Sequence, residues 1–226
     1  MHENVPPRVP ESTAEMQRER AIVDAIEEEQ FCIAQELHDT VCQSLSGLRL
    51  STAAIRRNLQ ALEGSGADAF SQVEEVAAKA ICELHEIVRS LQPVEIEPDC
   101  LDSALQELAD SVRNQVRSSF ERIGAPIAAD VFTASQVFRI ARETVKYALA
   151  NGPAGRISLR WGQGKNGPVL EVCSALPCYA TIEASAAGLF GWKLLQRRAK
   201  AIGARLTANS DGNCVTLALA GPPPAG

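Results

Sequence analysis

Residues 33–52 read IAQELHDTVCQSLSGLRLST. Leu37, Val41, Leu45, Leu48 and Thr52 recur at steps of three and four, the signature of one apolar stripe on an α-helix. The stripe extends outward in both directions, through Ile22, Ile26 and Ile33 on one side and Ile55, Leu59 and Leu62 on the other. A helix of this length cannot stand alone in water, so the pattern predicts a bundle or coiled coil. Leu37 and Val41 belong to the stripe. His38 is turned from it by about 100° and falls on the flank of the helix, toward water.

The stripe stops at Glu63-Gly64-Ser65-Gly66, a helix breaker. A second stripe follows, carried by Val73, Val76, Ala77, Ala80, Ile81, Leu84, Ile87, Val88 and Leu91, and Pro93 ends it. Two helices joined by a short Gly-rich loop make an antiparallel hairpin. One hairpin leaves much apolar surface uncovered, and two hairpins from two chains close a four-helix bundle, so the pattern predicts a homodimer. On the N-terminal side, Ser12 with Glu15 three positions later forms a capping box, and residues 1–11 read as disordered.

Beyond Pro93 and Pro98 the pattern changes. Leu101 to about Ile123 reads as helix, Thr133–Ala150 as another, and Arg156–Trp161 and Val169–Cys173 alternate like strands around a turn at Gly162–Gly167. Ala186–Ile202 is helical and stops at Gly203. Leu206–Ala208 and Cys214–Leu219 read as a hairpin around Asp211-Gly212. The predicted organisation is a helical hairpin over 12–97, an α+β domain with helices on a mixed sheet over 98–220, and a tail over 221–226.

Composition narrows the function. The 226 residues are 46% apolar and only 4% aromatic, with a net charge of −6, which disfavours nucleic acid as a partner. No run of 18 apolar residues and no signal-peptide core occur, so the sequence predicts a cytoplasmic chain without membrane contact. The seven cysteines are odd in number and scattered, with no CxxC, and read as reduced, small buried hydrophobes rather than as a metal site.

The chemistry lies in Glu36-Leu37-His38-Asp39-Thr40-Val41-Cys42-Gln43. A carboxylate beside a helical imidazole can hold its tautomer and leave the other nitrogen as a nucleophile. Gln43, four residues after Asp39, lies one turn away on the same face and can orient a water. His85, within Glu83-Leu84-His85-Glu86, reads as an ordinary surface residue.

This motif, on the first helix of a dimerising hairpin, resembles the dimerisation and phosphotransfer domain of sensor histidine kinases with the ELHDxVxQ phospho-acceptor pattern. Glu86-Ile87-Val88-Arg89-Ser90-Leu91-Gln92-Pro93 looks like the family's "LR-x-LRP" ending, and Leu101-Asp102-Ser103-Ala104-Leu105 like its "GL-x-x-AL". The resemblance covers about residues 20–220. It implies that His38 is the phosphorylated residue, that Asp39 is its acid/base neighbour, and that Gln43 positions water for hydrolysis of a response regulator's phosphoaspartate. Glu36, Cys42, Arg49 and Arg89 then become candidate contacts for response-regulator receiver domains.

By the same resemblance the second half is a kinase-type ATP-binding domain of α/β sandwich form, with departures. The family's helix carries Glu and, four residues on, a magnesium-holding Asn. Here Glu143 is followed by Tyr147, a poor ligand for Mg²⁺. Asn151 stands a further turn away. The family's Asp-x-Gly-x-Gly is replaced by Cys173-Ser174-Ala175-Leu176-Pro177-Cys178, with neither Asp nor Gly. Gly188-Leu189-Phe190-Gly191 looks like its Gly-x-Gly-Leu, and Gly203-Ala204-Arg205-Leu206 like its "LGG-x-L". The resemblance therefore implies a dimeric histidine phosphotransferase that binds no ATP, magnesium or other cofactor and exchanges phosphate between His38 and receiver aspartates. A response-regulator phosphatase using Asp39 and Gln43, an active kinase with an atypical nucleotide site, and a dimeric scaffold are the alternatives.

Overall fold

A computed structural model describes residues 13–61, 67–125, 127–151, 155–179 and 186–219. The expectations for residues 1–11, for the Ser12 cap and for Gly64–Gly66 lie outside the described residues. The N-terminal part is helical. Helix α1 (Thr13–Glu36) runs into a π-helical turn, Leu37–Cys42, and then into α2 (Gln43–Ala61); α3 (Ala67–Leu91) follows. Close contacts divide the chain into two compact units. One is the helical unit Asp24–Pro93; the other takes the chain up to Val23 together with everything from Val94 on. The unit Asp24–Pro93 falls within the predicted hairpin range 12–97. The first turns of α1 pair elsewhere: Glu19 with Arg197 at 3.1 Å, Glu15 with Lys200 at 3.6 Å, and Arg20 over the Phe132 ring at 3.8 Å.

Within the helical unit the buried positions are Ala34, Cys42, Thr52, Ala77 and Val88. The predicted stripe is covered only in part. Leu37 is half-buried, whereas Val41, Leu48 and Ile55 are exposed, as are Val73, Val76 and Ile87 on α3. Val41 was expected on a buried seam. A π turn inserts a wider i→i+5 loop into the ladder here, and within it Cys42 is the buried residue. Arg56 on α2 pairs with Glu74 on α3 at 2.9 Å and ties the hairpin near its tip.

The second unit packs helices on one mixed five-stranded sheet. Its elements are α4 (Leu101–Ser111), β1 (Arg117–Ile123), α5 (Val131–Ala150), β2 (Arg156–Gly164), β3 (Gly167–Ser174), α6 (Ala186–Ala201), β4 (Ala204–Ala208) and β5 (Cys214–Leu219). The strand order is β1-β2-β3-β5-β4, with β1 parallel to β2 and the other pairs antiparallel. The helix expected over 101–123 ends at Ser111. Its period-four stripe, Leu101, Leu105 and Ala109, is spent there, and Arg117–Ile123 instead pairs residue for residue with β2. Helix α5 starts where its Asp130 cap accepts from the Thr133 N–H at 2.7 Å. Residues Leu105, Val137, Ile140, Val145, Leu159, Leu170 and Leu217 are buried between the helices and the sheet.

The cysteines depart from the reading of seven buried thiols. Cys173 and Cys214 are register partners on β3 and β5 and are joined as a disulfide. Cys32, Cys82 and Cys100 are exposed thiols, and only Cys42 and Cys178 are buried ones. The side-chain alternation of paired strands brings Cys173 and Cys214 face to face, which linear spacing cannot reveal.

Candidate functional site

The π turn holds the motif. Thr40 returns its hydroxyl to the Glu36 carbonyl, a bond that competes with the regular helical ladder. His38 is exposed, at 57%, and its Nδ1 lies 3.2 Å from Oδ1 of the equally open Asp39. An ionised carboxylate only accepts, so this contact puts the imidazole proton on Nδ1 and the lone pair on Nε2. An imidazole so held is a nucleophile with its reactive nitrogen on a solvent-exposed ring. Gln43 is exposed at the first residue of α2, immediately after the turn.

The expected partner contacts divide. Glu36, Arg49 and Arg89 are exposed on α1, α2 and α3. Cys42 is not: it is 4% exposed, turned into the hairpin by the same π turn, so it is no docking contact. A residue the sequence reading passed over is brought in instead. His85 of α3 lies against His38, with ring centroids 6.3 Å apart and planes 28° from parallel. Helical periodicity places His85 outside the apolar stripe but leaves the register between α3 and the π turn open, so spacing gave no signal for the pair.

In the sheet unit, Glu143 pairs with Lys146 at 3.3 Å and with Arg142 at 3.4 Å. Tyr147 packs against the core with its ring 6.3 Å from that of Tyr179 and 21° from parallel. Asn151 caps its own helix, donating from Nδ2 to the Tyr147 carbonyl at 2.9 Å. The segment after β3 folds back on the β4–β5 turn: Ser174 N–H donates to Asn213 and Tyr179 N–H to Gly212, each at 2.7 Å. That path drives Tyr179 inward to 1% exposure. Burial, with the neighbouring Cys178 thiol adding to it, pushes the Tyr179 hydroxyl well above its ordinary range. Neither tyrosine hydroxyl has a hydrogen-bond partner among the described residues.

Gly191 has open space where a Cβ would stand, so close packing does not explain it. Gly188 lies among residues whose side-chain surroundings are not described. The sequence reading also missed a buried polar contact, Arg198 donating to Gln136 Oε1 at 2.8 Å between α6 and α5. Among the described residues no group of three or more His, Cys, Asp or Glu is arranged to hold a metal. None of the described helices is long and apolar enough to cross a membrane.

Residues 29–96 match the HisKA_3 family model, described as histidine kinase. The sensor histidine kinase LiaS of Bacillus subtilis is 26% identical over 61% of this chain and 38% of its own length. The nitrate/nitrite sensor protein NarQ of Escherichia coli is 24% identical over 84% of this chain and 34% of its own. The chain thus spans about a third of the length of these relatives. Among solved structures, the ATP-binding domain of PrrB from Mycobacterium tuberculosis is similar, at 17% identity over 57% of this chain and 97% of that one, with a TM-score of 0.39. The His38–Asp39 pair lies near the start of the matched segment, and over that segment the chain is similar to histidine kinases of two-component systems.

Proposed function

We propose that the chain is a dimeric histidine phosphotransferase that exchanges phosphate between His38 and the aspartate of response-regulator receiver domains without using ATP. The observation that carries the reading is the exposed His38, its Nδ1 held by Asp39 at 3.2 Å and its Nε2 left as nucleophile. In the forward step the receiver's aspartyl P–O bond breaks, the carboxylate leaves with the electron pair, and the His38 Nε2–P bond forms. Asp39 faces the Nδ1 proton and stabilises the charge the ring gains. The reverse step restores the aspartyl phosphate. Transfer of this kind depends on positioning and on charge stabilisation, both of which a surface helix can supply.

Two positions of the sheet unit support a reading without a bound nucleotide and magnesium. At the position of the metal-holding Asn stands Tyr147, and its ring is packed on Tyr179. Asn151 spends its amide on a helix cap. Exposed apolar residues on both sides of the hairpin, Leu48, Ile55, Val73, Val76 and Ile87, support pairing with a second copy.

The test supplies radiolabelled ATP in one arm and a phosphorylated receiver in the other, with His38→Gln as control. Label reaching His38 from the receiver alone is the expected result. Label arriving from ATP makes the protein a kinase and overturns the reading. A receiver that loses phosphate with no label on His38 makes it a phosphatase, with Gln43→Ala as the variant that abolishes the loss.

A further inference from the structure

Resting on the phosphotransfer reading of His38, we infer that His85 is a second catalytic imidazole, which donates an N–H to the phosphoryl oxygens as they bond to His38 Nε2. The two rings are 6.3 Å apart, centre to centre, and 28° from parallel. The rings lie face to face rather than edge to edge, so His85 flanks the ring whose Nε2 carries the phosphoryl group. Asp39 occupies the Nδ1 side of His38, so the group that meets incoming charge on the other side has to come from a different element. His85 is exposed on the neighbouring helix α3 and is the side chain placed for it. Either protonation state of an imidazole carries at least one N–H, so donation does not require that His85 be charged. A preorganised donor aimed at oxygens whose charge must be stabilised accelerates transfer more than it aids ground-state binding.

The probe is phosphoramidate, a small phosphodonor that needs no receiver. Its P–N bond breaks, ammonia leaves with the electron pair, and the His38 Nε2–P bond forms. His85→Phe keeps a ring in place and removes the donor; His85→Gln keeps an N–H donor and removes the ring. The expected result is His38 labelling slowed at least tenfold in His85→Phe and restored to within threefold of wild type in His85→Gln, with unchanged thermal unfolding of both. Labelling of His85→Phe within twofold of wild type overturns the proposal, and so does His85→Gln as slow as His85→Phe. A wild type that takes phosphate from phosphoramidate but not from any phosphorylated receiver sinks the receiver-exchange reading while leaving His85 to be judged by its variants. A wild type that leaves His38 unlabelled by either donor overturns both.

Discussion

Tyr147 and Tyr179 stack with ring centres 6.3 Å apart, bringing together a residue of α5 and one from the segment after β3. The Tyr179 hydroxyl is buried, and no described residue satisfies it. Removing such a group relieves a desolvation cost, so Tyr179→Phe is expected to stabilise the sheet unit by about 1 kcal/mol. Tyr179→Ala is expected to cost about 3–5 kcal/mol, the range for a buried aromatic. Alkaline pH separates the hydroxyl's contribution. Its pKa is raised in the fold, so above about pH 10 the unfolded chain loses a proton that the folded chain keeps, and stability falls. Urea unfolding between pH 8 and pH 11 should show that fall in the wild type and a smaller one in Tyr179→Phe.

Asp130 controls the start of α5. A hydrogen bond with the Thr133 side chain first, and the Thr133 N–H that its carboxylate accepts after it, hold its pKa below the ordinary carboxylate value. The folded state thus prefers the ionised form. The stability it contributes is present above the unfolded value and is lost as pH falls through the folded one. Asp130→Ala should cost about 0.5–2 kcal/mol near neutrality. Asp130→Asn keeps a good cap but cannot titrate, so its thermal midpoint should fall less than that of the wild type between pH 5 and pH 2.5.

Much of this architecture is legible in the residues. The hairpin helices, the β2–β3 turn and the β4–β5 hairpin follow from periodicity and from breakers such as Pro93 and Asp211-Gly212. What is not legible depends on partners distant in sequence. Arg117–Ile123 becomes a strand because β2 lies beside it, and isolated periodicity over seven residues does not exclude a helix. The π turn is invisible to a pattern that assumes constant helical pitch, and within it Val41 is exposed while Cys42 is buried. His38 and Asp39 stand out in the motif itself. His85 joins them only through the register of two helices.

The cysteines give a chemical test of that long-range pairing. Alkylation of the native, unreduced protein should modify Cys32, Cys82 and Cys100 quickly, and Cys42 and Cys178 only on unfolding. Cys173 and Cys214 should react only after reduction. Their sequence separation is 41 residues, for which the chain-entropy model gives a stabilisation of about 4 kcal/mol. Dithiothreitol should therefore lower the urea midpoint of the wild type and leave a Cys173→Ser, Cys214→Ser double variant unmoved. Full labelling of all seven thiols without reductant would exclude the bond.

Exposed apolar residues of the hairpin bear on the oligomeric state. Leu50 and Val76 are each 68% exposed, on α2 and α3. Replacing either by Asp removes few contacts within the chain, so helix content and the unfolding midpoint should change little. In a bundle closed by a second copy, a carboxylate placed on the joining face must be desolvated, and association weakens sharply. Sedimentation equilibrium should find the wild type at twice the chain mass of 24.2 kDa. At least one of Leu50→Asp and Val76→Asp should raise the dissociation constant tenfold or more. A wild type that sediments as a single chain at tens of micromolar would instead mean that these side chains are covered by a different partner, and the receiver's own apolar helices would then be the surface to test against Leu50 and Val76.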